Sequence, residues 1–151
     1  MKLNKSTRYA LYAAVELAAA EGNGQVTVSQ VSRRYDIPEA VLAKVFQRLM
    51  RAGIAVGSRG TGGGYRLAGN PSEVTMLDII TEFEPLRPLG QDRSDAPFKA
   101  GANEGDPSPL HRVFDEVDEL VRCTYASITL ETLVGPRAGQ GLSAAAEAPP
   151  S

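Results

Sequence analysis

Cysteine and histidine each occur once in the 151 residues, at Cys123 and His111, and tryptophan is missing altogether. A lone cysteine closes no internal disulfide, which excludes the stapled frameworks of small secreted domains and fits a reducing compartment. With one histidine, one cysteine and no carboxylates in a recognisable pocket, no catalytic constellation can be assembled, so an enzyme is the weakest functional class for this chain. Long apolar runs are equally scarce. Nothing approaches the length of a membrane span, and the Ala/Leu-rich start behind Lys2 and Lys5 is broken by Arg8 and Glu16. Ala10, Ala13, Ala14 and Leu17 instead form the stripe of an amphipathic helix, unlike the uniformly apolar segment of a signal peptide. A cytoplasmic protein without membrane association is expected.

The hydrophobic fraction of 42% suffices for one core with an appendage. The net charge of -2 hides an asymmetry. Residues 1–70 hold 10 Lys/Arg against 4 Asp/Glu, and the remainder holds 6 against 14, so the halves carry +6 and -8. A basic front on an acidic back points to a polyanion-binding module joined to a part that does not touch the polyanion.

Residues 53–67 concentrate the clearest pattern, two short alternating runs around a glycine-rich tip. Ile54 and Val56 in the first run and Tyr65 and Leu67 in the second are expected on one buried face, with 60–64 as the turn of a β-hairpin. Glycines permit positive φ and close backbone approach, and Arg59 and Arg66 add charge suited to phosphates or a narrow minor groove. Two readings stay open for this stretch alone, a flexible hairpin tip and a nucleic-acid-binding wing. A phosphate loop fits less well, because Tyr-Arg-Leu follows the glycines and opens a strand where that motif requires Gly-Lys-Ser/Thr opening a helix.

Helical signals surround the hairpin. A first helix is expected over 6–21, with Ser6 as N-cap and Gly22 and Gly24 ending it. Lys5 and Arg8, beside Ser6 and Thr7 at its start, are candidate phosphate ligands. Thr27 to Gln30 form a capping box that opens a short helix to Tyr35, with Val28, Val31 and Tyr35 inward and Arg33 and Arg34 outward. Asp36-Ile37-Pro38 breaks it. Pro38 then starts another helix carrying the stripe Leu42, Val45, Phe46 and Leu49, closed by Gly53. Two helices joined by about three residues and followed by a hairpin are the ordered parts of a winged helix-turn-helix.

In that arrangement the second helix reads the major groove with the side chains opposite its core stripe. Lys44 suits guanine, Gln47 adenine, Val41 or Ala40 a thymine methyl, and Glu39 cytosine. Arg48 and Arg51 are better suited to phosphates. A winged helix can also serve as a protein-docking module, which is the alternative from a different functional class.

Farther on, Thr75 to Asp78 repeat the capping-box pattern and open a helix with Leu77, Ile79, Ile80 and Phe83, ending near Glu84. Residues 85–109, rich in Gly, Pro, Asp, Ala and Ser, are expected to be a long functional or mobile loop. A stripe of Leu110, Val113, Phe114, Val117, Leu120, Val121, Thr124 and Ile128 then marks a helix of about five turns. Its apolar face exceeds what a small domain covers, so pairing with a two-fold mate is expected. Residues 129–134 add a closing helix, and 135–151 are expected to be disordered. The fold class is therefore mainly α with a small β-hairpin. Its expected organisation is a winged helix-turn-helix over 1–84, the loop over 85–109, dimerisation and closing helices over 110–134, and the tail.

These residues closely resemble the Rrf2 family of bacterial transcription regulators over about residues 1–134. The likeness rests on Arg8-Tyr9-Ala10, Ile37, residues 42–49, Ala52-Gly53-Ile54, Ser58-Arg59-Gly60, the run from Gly62 to Ala68, and Ile128-Thr129-Leu130. It implies a homodimeric winged-helix protein in which Arg59 enters the minor groove and the recognition helix reads a palindromic promoter element on double-stranded DNA. Together, the helix faces, the hairpin and the resemblance single out Lys5, Arg8, Thr27, Glu39, Ala40, Val41, Lys44, Gln47, Arg48, Ser58, Arg59, Gly60, Gly63 and Tyr65 as DNA-contacting residues. The departure lies in the loop. Cluster-binding members hold an iron-sulfur cluster on three closely spaced cysteines, whereas residues 85–109 contain none, and Ser108 stands about where the last would fall. His111, alone or with a carboxylate such as Asp106, is a weak metal candidate, so no iron-sulfur cluster or other cofactor is expected. Cys123 is expected to pack as a small hydrophobe beside the dimer seam, with a redox thiol as the sharper alternative.

Overall fold

The computed structural model describes residues 2–60, 62–89 and 109–135. Among these residues, six helices and one hairpin follow in the order α1 (Lys5–Ala19), α2 (Val28–Tyr35), α3 (Glu39–Arg51), β1 (Ala55–Ser58), β2 (Gly64–Leu67), α4 (Met76–Phe83), α5 (Pro109–Ser127) and α6 (Leu130–Val134). Ser108, Asp106 and nearly all of the expected loop and tail lie outside the described residues.

Helix α1 is the hub. Its inward face is Ala10, Ala13, Ala14 and Leu17, all at or near zero exposure, and small side chains there let α3, α4 and α6 pack closely around it. Its cap differs from expectation. Asn4, not Ser6, closes the N-terminus, with Oδ1 accepting the Thr7 backbone N–H at 2.7 Å and the Thr7 hydroxyl at 2.9 Å. Asparagine caps as well as serine, and this register also satisfies Thr7, which is fully buried. The helix ends at Ala19, before Gly22 and Gly24, which carry the positive φ of the following turn.

The capping boxes of α2 (Thr27 with Gln30) and α4 (Thr75 with Asp78) both form as the spacing predicts. The α2–α3 turn depends on Asp36, the only described non-glycine residue with positive φ, a conformation that aspartate tolerates better than most side chains. Leu42, Val45, Phe46 and Leu49 of α3 are all buried against α1 and α2, and Ile37 in the turn joins them.

The hairpin register corrects the expected inward face. Ala55 pairs with Leu67 and Gly57 with Tyr65, whereas Val56 pairs with Arg66. Directly paired residues project to the same side, so Ala55 and Gly57, not Ile54 and Val56, share the face of Tyr65 and Leu67. Ile54 is buried for another reason. At the end of α3 the Gly53 N–H bonds to the Met50 carbonyl and the Ile54 N–H to the Leu49 carbonyl, both at 3.0 Å, with Gly53 at φ 74. That double bond pattern is a Schellman cap, whose last residue packs back on the helix, and it assigns Ile54 to α3.

Two further contacts close the fold. Val26 and Tyr65 exchange backbone hydrogen bonds of 2.7 and 2.8 Å, tying β2, close to the tip, to the segment before α2. Thr75 bridges Thr129, and Leu130 of α6 is fully buried in the same core as α1 and α3. Helix α5, by contrast, has no buried residue of its own and packs on α4.

Candidate nucleic-acid interface

One surface collects the start of α2, the outer face of α3 and the hairpin. A concavity of about 410 Å³ lies between them, lined by Thr27, Val28, Met50, Arg59, Gly63 and Tyr65 among others. Ala40, Val41, Lys44, Gln47 and Arg51 are exposed along α3, and Ser58, Arg59 and Gly60 along the hairpin. The apolar stripe of α3 fixes this orientation, because burying Leu42, Val45, Phe46 and Leu49 turns the opposite face to solvent.

The glycines of the tip have separate physical roles. Gly60 and Gly62 adopt φ of 109 and 85, open to glycine and strained for other residues. Gly63 and Gly64 are needed for room: a Cβ would stand 2.7 Å from the Ser58 carbonyl oxygen at Gly63 and 2.8 Å from the Val26 carbonyl oxygen at Gly64. The tip is therefore a shaped turn. Tyr65, expected among the DNA contacts, is half-buried, with its ring stacked on Phe46 at 4.4 Å between centroids. It anchors the hairpin to α3 and lines the concavity.

Several expected contacts are engaged inside the protein. The Glu39 carboxylate accepts the Ser29 hydroxyl at 2.7 Å across the helix-turn-helix, and the Ser58 hydroxyl donates to Gln25 Oε1 at 2.7 Å. Thr27 spends its hydroxyl lone pair and backbone N–H on Gln30. Thr7, paired with Ser6 in the expected phosphate site, is buried and bonded to Asn4, which leaves exposed Lys5, Ser6 and Arg8 at the start of α1. Arg48 departs most from expectation, since its guanidinium turns to α4, 3.4 Å from the Glu82 carboxylate and 4.9 Å from the centre of the Phe83 ring.

Charge on this surface is uncompensated. Among the described residues Lys44, Arg51 and Arg59 here, and Arg66 on the other face of the hairpin, have no ion-pair partner, whereas Arg34 and Arg48 are matched with Glu16 and Glu82. Unpaired cations beside a concave, glycine-shaped wing can meet phosphates without first breaking internal pairs.

Sequence reasoning missed Met50, which is 41% exposed on the concavity and whose sulfur lies close over Gly57. Its place on the helix wheel beside Gln47 could have revealed it. The Ser29, Gln25 and Glu82 tethers had no sequence signal, because their partners lie 10 to 34 residues away.

The two remaining candidates stand apart from this surface. His111 is exposed in the first turn of α5, and no group of three metal-ligating side chains occurs among the described residues. Cys123 is exposed, and its thiol donates to Glu119 Oε1 at 3.4 Å. That hydrogen bond first, and the negative charge of Glu119 second, push the thiol above its ordinary pKa, with Arg122 opposing weakly. The thiolate that redox sensing requires is thus disfavoured.

Comparison with known proteins agrees with this geometry. Residues 3–136 match the family model of Rrf2, described as an iron-dependent transcriptional regulator. The chain is 41% identical over 134 residues to the HTH-type transcriptional regulator BadM of Rhodopseudomonas palustris, covering 89% of this chain and 81% of BadM. Among solved structures it superposes on CymR, the global cysteine regulator of B. subtilis, with a TM-score of 0.72 at 27% identity over 89% of this chain and 96% of CymR. T. potens IscR gives a TM-score of 0.70 at 25% identity, over all of this chain and 94% of that one. These relatives are regulators, not enzymes, and their fold is the winged helix built above from α2, α3 and the hairpin. The chain belongs to the Rrf2 family of DNA-binding, helix-turn-helix transcriptional regulators.

Proposed function

We propose that this regulator is a homodimeric cytoplasmic repressor that reads a palindromic promoter element with α3 and the wing. The observation that carries it is the set of cations without ion-pair partners among the described residues, Lys44, Arg51 and Arg59 on the concave surface with Arg66 behind them, around a wing whose tip is shaped by glycine. Lys44 and Gln47 serve as base readers, Ala40 and Val41 as methyl contacts, and Arg59 as the minor-groove probe. Lys5 and Arg8 at the start of α1, with Ser58, Gly60 and Gly63 on the wing, contribute backbone contacts that set register. A dimer seated on a promoter palindrome excludes other proteins from it, which is the basis for repression.

The signal is not an iron-sulfur cluster held by thiolates. The full chain contains one cysteine, Cys123, on an exposed face of α5, and the family's cluster requires several. The donor set does not fit, despite the description of the family as iron-dependent.

The test is binding of the purified chain to duplexes recovered from captured genomic fragments. Affinity should fall steeply between roughly 50 and 200 mM salt. Arg59→Ala should cost about 1–3 kcal/mol and flatten the salt slope by about one unit. Salt-insensitive or sequence-blind binding would favour the protein-docking alternative.

A further inference from the structure

Of the exposed cations along α3, Arg48 alone is turned away from solvent partners. Its Nε lies 3.4 Å from Glu82 Oε1, an Nη2 hydrogen donates to the Glu82 carbonyl oxygen, and the guanidinium sits 4.9 Å over the Phe83 ring. One planar group thus uses its edge for two hydrogen bonds and its face for a ring. Phe83 is itself a core residue, so the arginine is anchored to the packed interior and not to a loose surface chain. Lys44 and Arg51, one turn before and one turn after on the same side of α3, have no such partners among the described residues.

The same end of α4 is tied elsewhere. Glu84 Oε2 accepts the Asn4 backbone N–H at 3.0 Å, at the start of α1. The Leu89 N–H donates to Asp118 Oδ2 of α5 at 2.8 Å. Residues 82–89 therefore join the recognition helix, the first helix and the long helix at one junction.

We infer that Arg48 is a positioning residue for DNA binding: it clasps the carboxyl-terminal half of the recognition helix to the end of α4, in place of the phosphate contact its position suggests. The inference rests on the DNA-binding reading above.

A phosphate contact and a clasp predict opposite behaviour from the acidic partner. Removing Glu82 would free a phosphate-binding arginine and strengthen or preserve binding, whereas removing half of a clasp weakens it. The experiment measures anisotropy of the tightest duplex recovered from captured genomic fragments, across a salt series. It uses the full chain as wild type, Glu82→Gln, Arg48→Ala, Arg48→Lys and the Glu82→Gln/Arg48→Ala pair, with thermal unfolding of each. Glu82→Gln leaves the core untouched and keeps the test valid if Arg48→Ala unfolds.

The clasp predicts about two- to fivefold weaker binding for Glu82→Gln, the range of an exposed ion pair. It also predicts a double variant no weaker than Arg48→Ala alone and an unchanged salt slope. Arg48→Lys should not rescue, because one ammonium cannot serve a carboxylate, a carbonyl and a ring together. Unchanged or tighter binding by Glu82→Gln, with a slope about one unit shallower for Arg48→Ala and rescue by lysine, would overturn the proposal. That pattern in a wild type that binds with steep salt dependence removes only this inference. A wild type without salt-dependent binding removes the DNA-binding reading and this inference with it.

Discussion

At the scale of single residues, the best-defined group outside the candidate nucleic-acid interface is Tyr35. Its hydroxyl donates to Glu16 Oε1 at 2.6 Å, its ring stacks on Tyr12 at 4.7 Å, and Arg34 completes the cluster through Glu16. Burial chiefly, and the Glu16 hydrogen bond and charge after it, push the Tyr35 hydroxyl up from 10.0 to about 12. The folded state therefore holds this proton more tightly than the unfolded chain. The resulting stability is fully present below pH 10 and is lost as pH rises through about 12. Denaturant unfolding of wild type and Tyr35→Phe should show a roughly constant difference up to pH 10 that shrinks toward pH 12. A difference unchanged across that window would refute the linkage. Only the Tyr35 side of this pair was visible in the sequence, as an inward residue of α2. Glu16 is 19 positions away, and helical periodicity carries no information about which helix lies alongside.

The wing shows most clearly how one element is determined at its own scale. Alternation correctly announced two strands and a glycine turn, but it placed the inward face one residue out of step. Period-two patterning assumes that a strand begins where the apolar residues begin, and here the first of them, Ile54, finishes the cap of α3. The tip can be tested by adding one methyl group. Gly63→Ala would bring a Cβ to 2.7 Å from the Ser58 carbonyl and 2.8 Å from that of Gly60, both rigid backbone atoms. The tip must then rearrange, at a strain of about 1–3 kcal/mol if it does not. DNA affinity should fall about tenfold, comparable to one lost contact, while the melting transition of the core barely moves. Gly69→Ala is the control, since its Cβ would meet nothing closer than a Glu73 carboxylate oxygen at 3.7 Å. Gly63→Ala binding as tightly as wild type would mean that the tip shape does not matter for DNA.

For the whole molecule the outstanding feature is α5. Leu110, Val113, Val117 and Leu120 are exposed in the single chain, Leu120 at 67%, and they recur at intervals of three and four as in a coiled-coil seam. Phe114, Val121 and Tyr125 on the adjoining side are partly covered. An exposed apolar stripe of this kind is expected to pair with its two-fold mate, which would carry two wings to one duplex. The double substitution Val113→Glu/Leu120→Glu should yield a folded monomer by light scattering, with palindrome binding reduced toward that of a half-site. A wild type that is monomeric at working concentration, or a double variant that stays dimeric, would exclude this arrangement.

By itself the sequence determined the elements and the chemistry carried on them. Capping boxes at Thr27 and Thr75, the stripe from Leu42 to Leu49 and the glycine run at 60–64 are local signals, written within a few residues and read through fixed helical and strand periods. The absence of a thiolate set was equally plain, because it is a matter of counting. Only the tertiary structure decided which of those side chains are available. Arg48 and Arg51 look alike in the sequence, yet one is held by Glu82 and Phe83 and the other has no partner among the described residues. Glu39 and Ser58 are likewise tethered by Ser29 and Gln25, and Leu130, near the end of the described chain, proves to be core. The physical reason is the same in each case: these contacts join positions distant in sequence, and only the packing of separate elements against one another brings them within hydrogen-bonding or van der Waals reach.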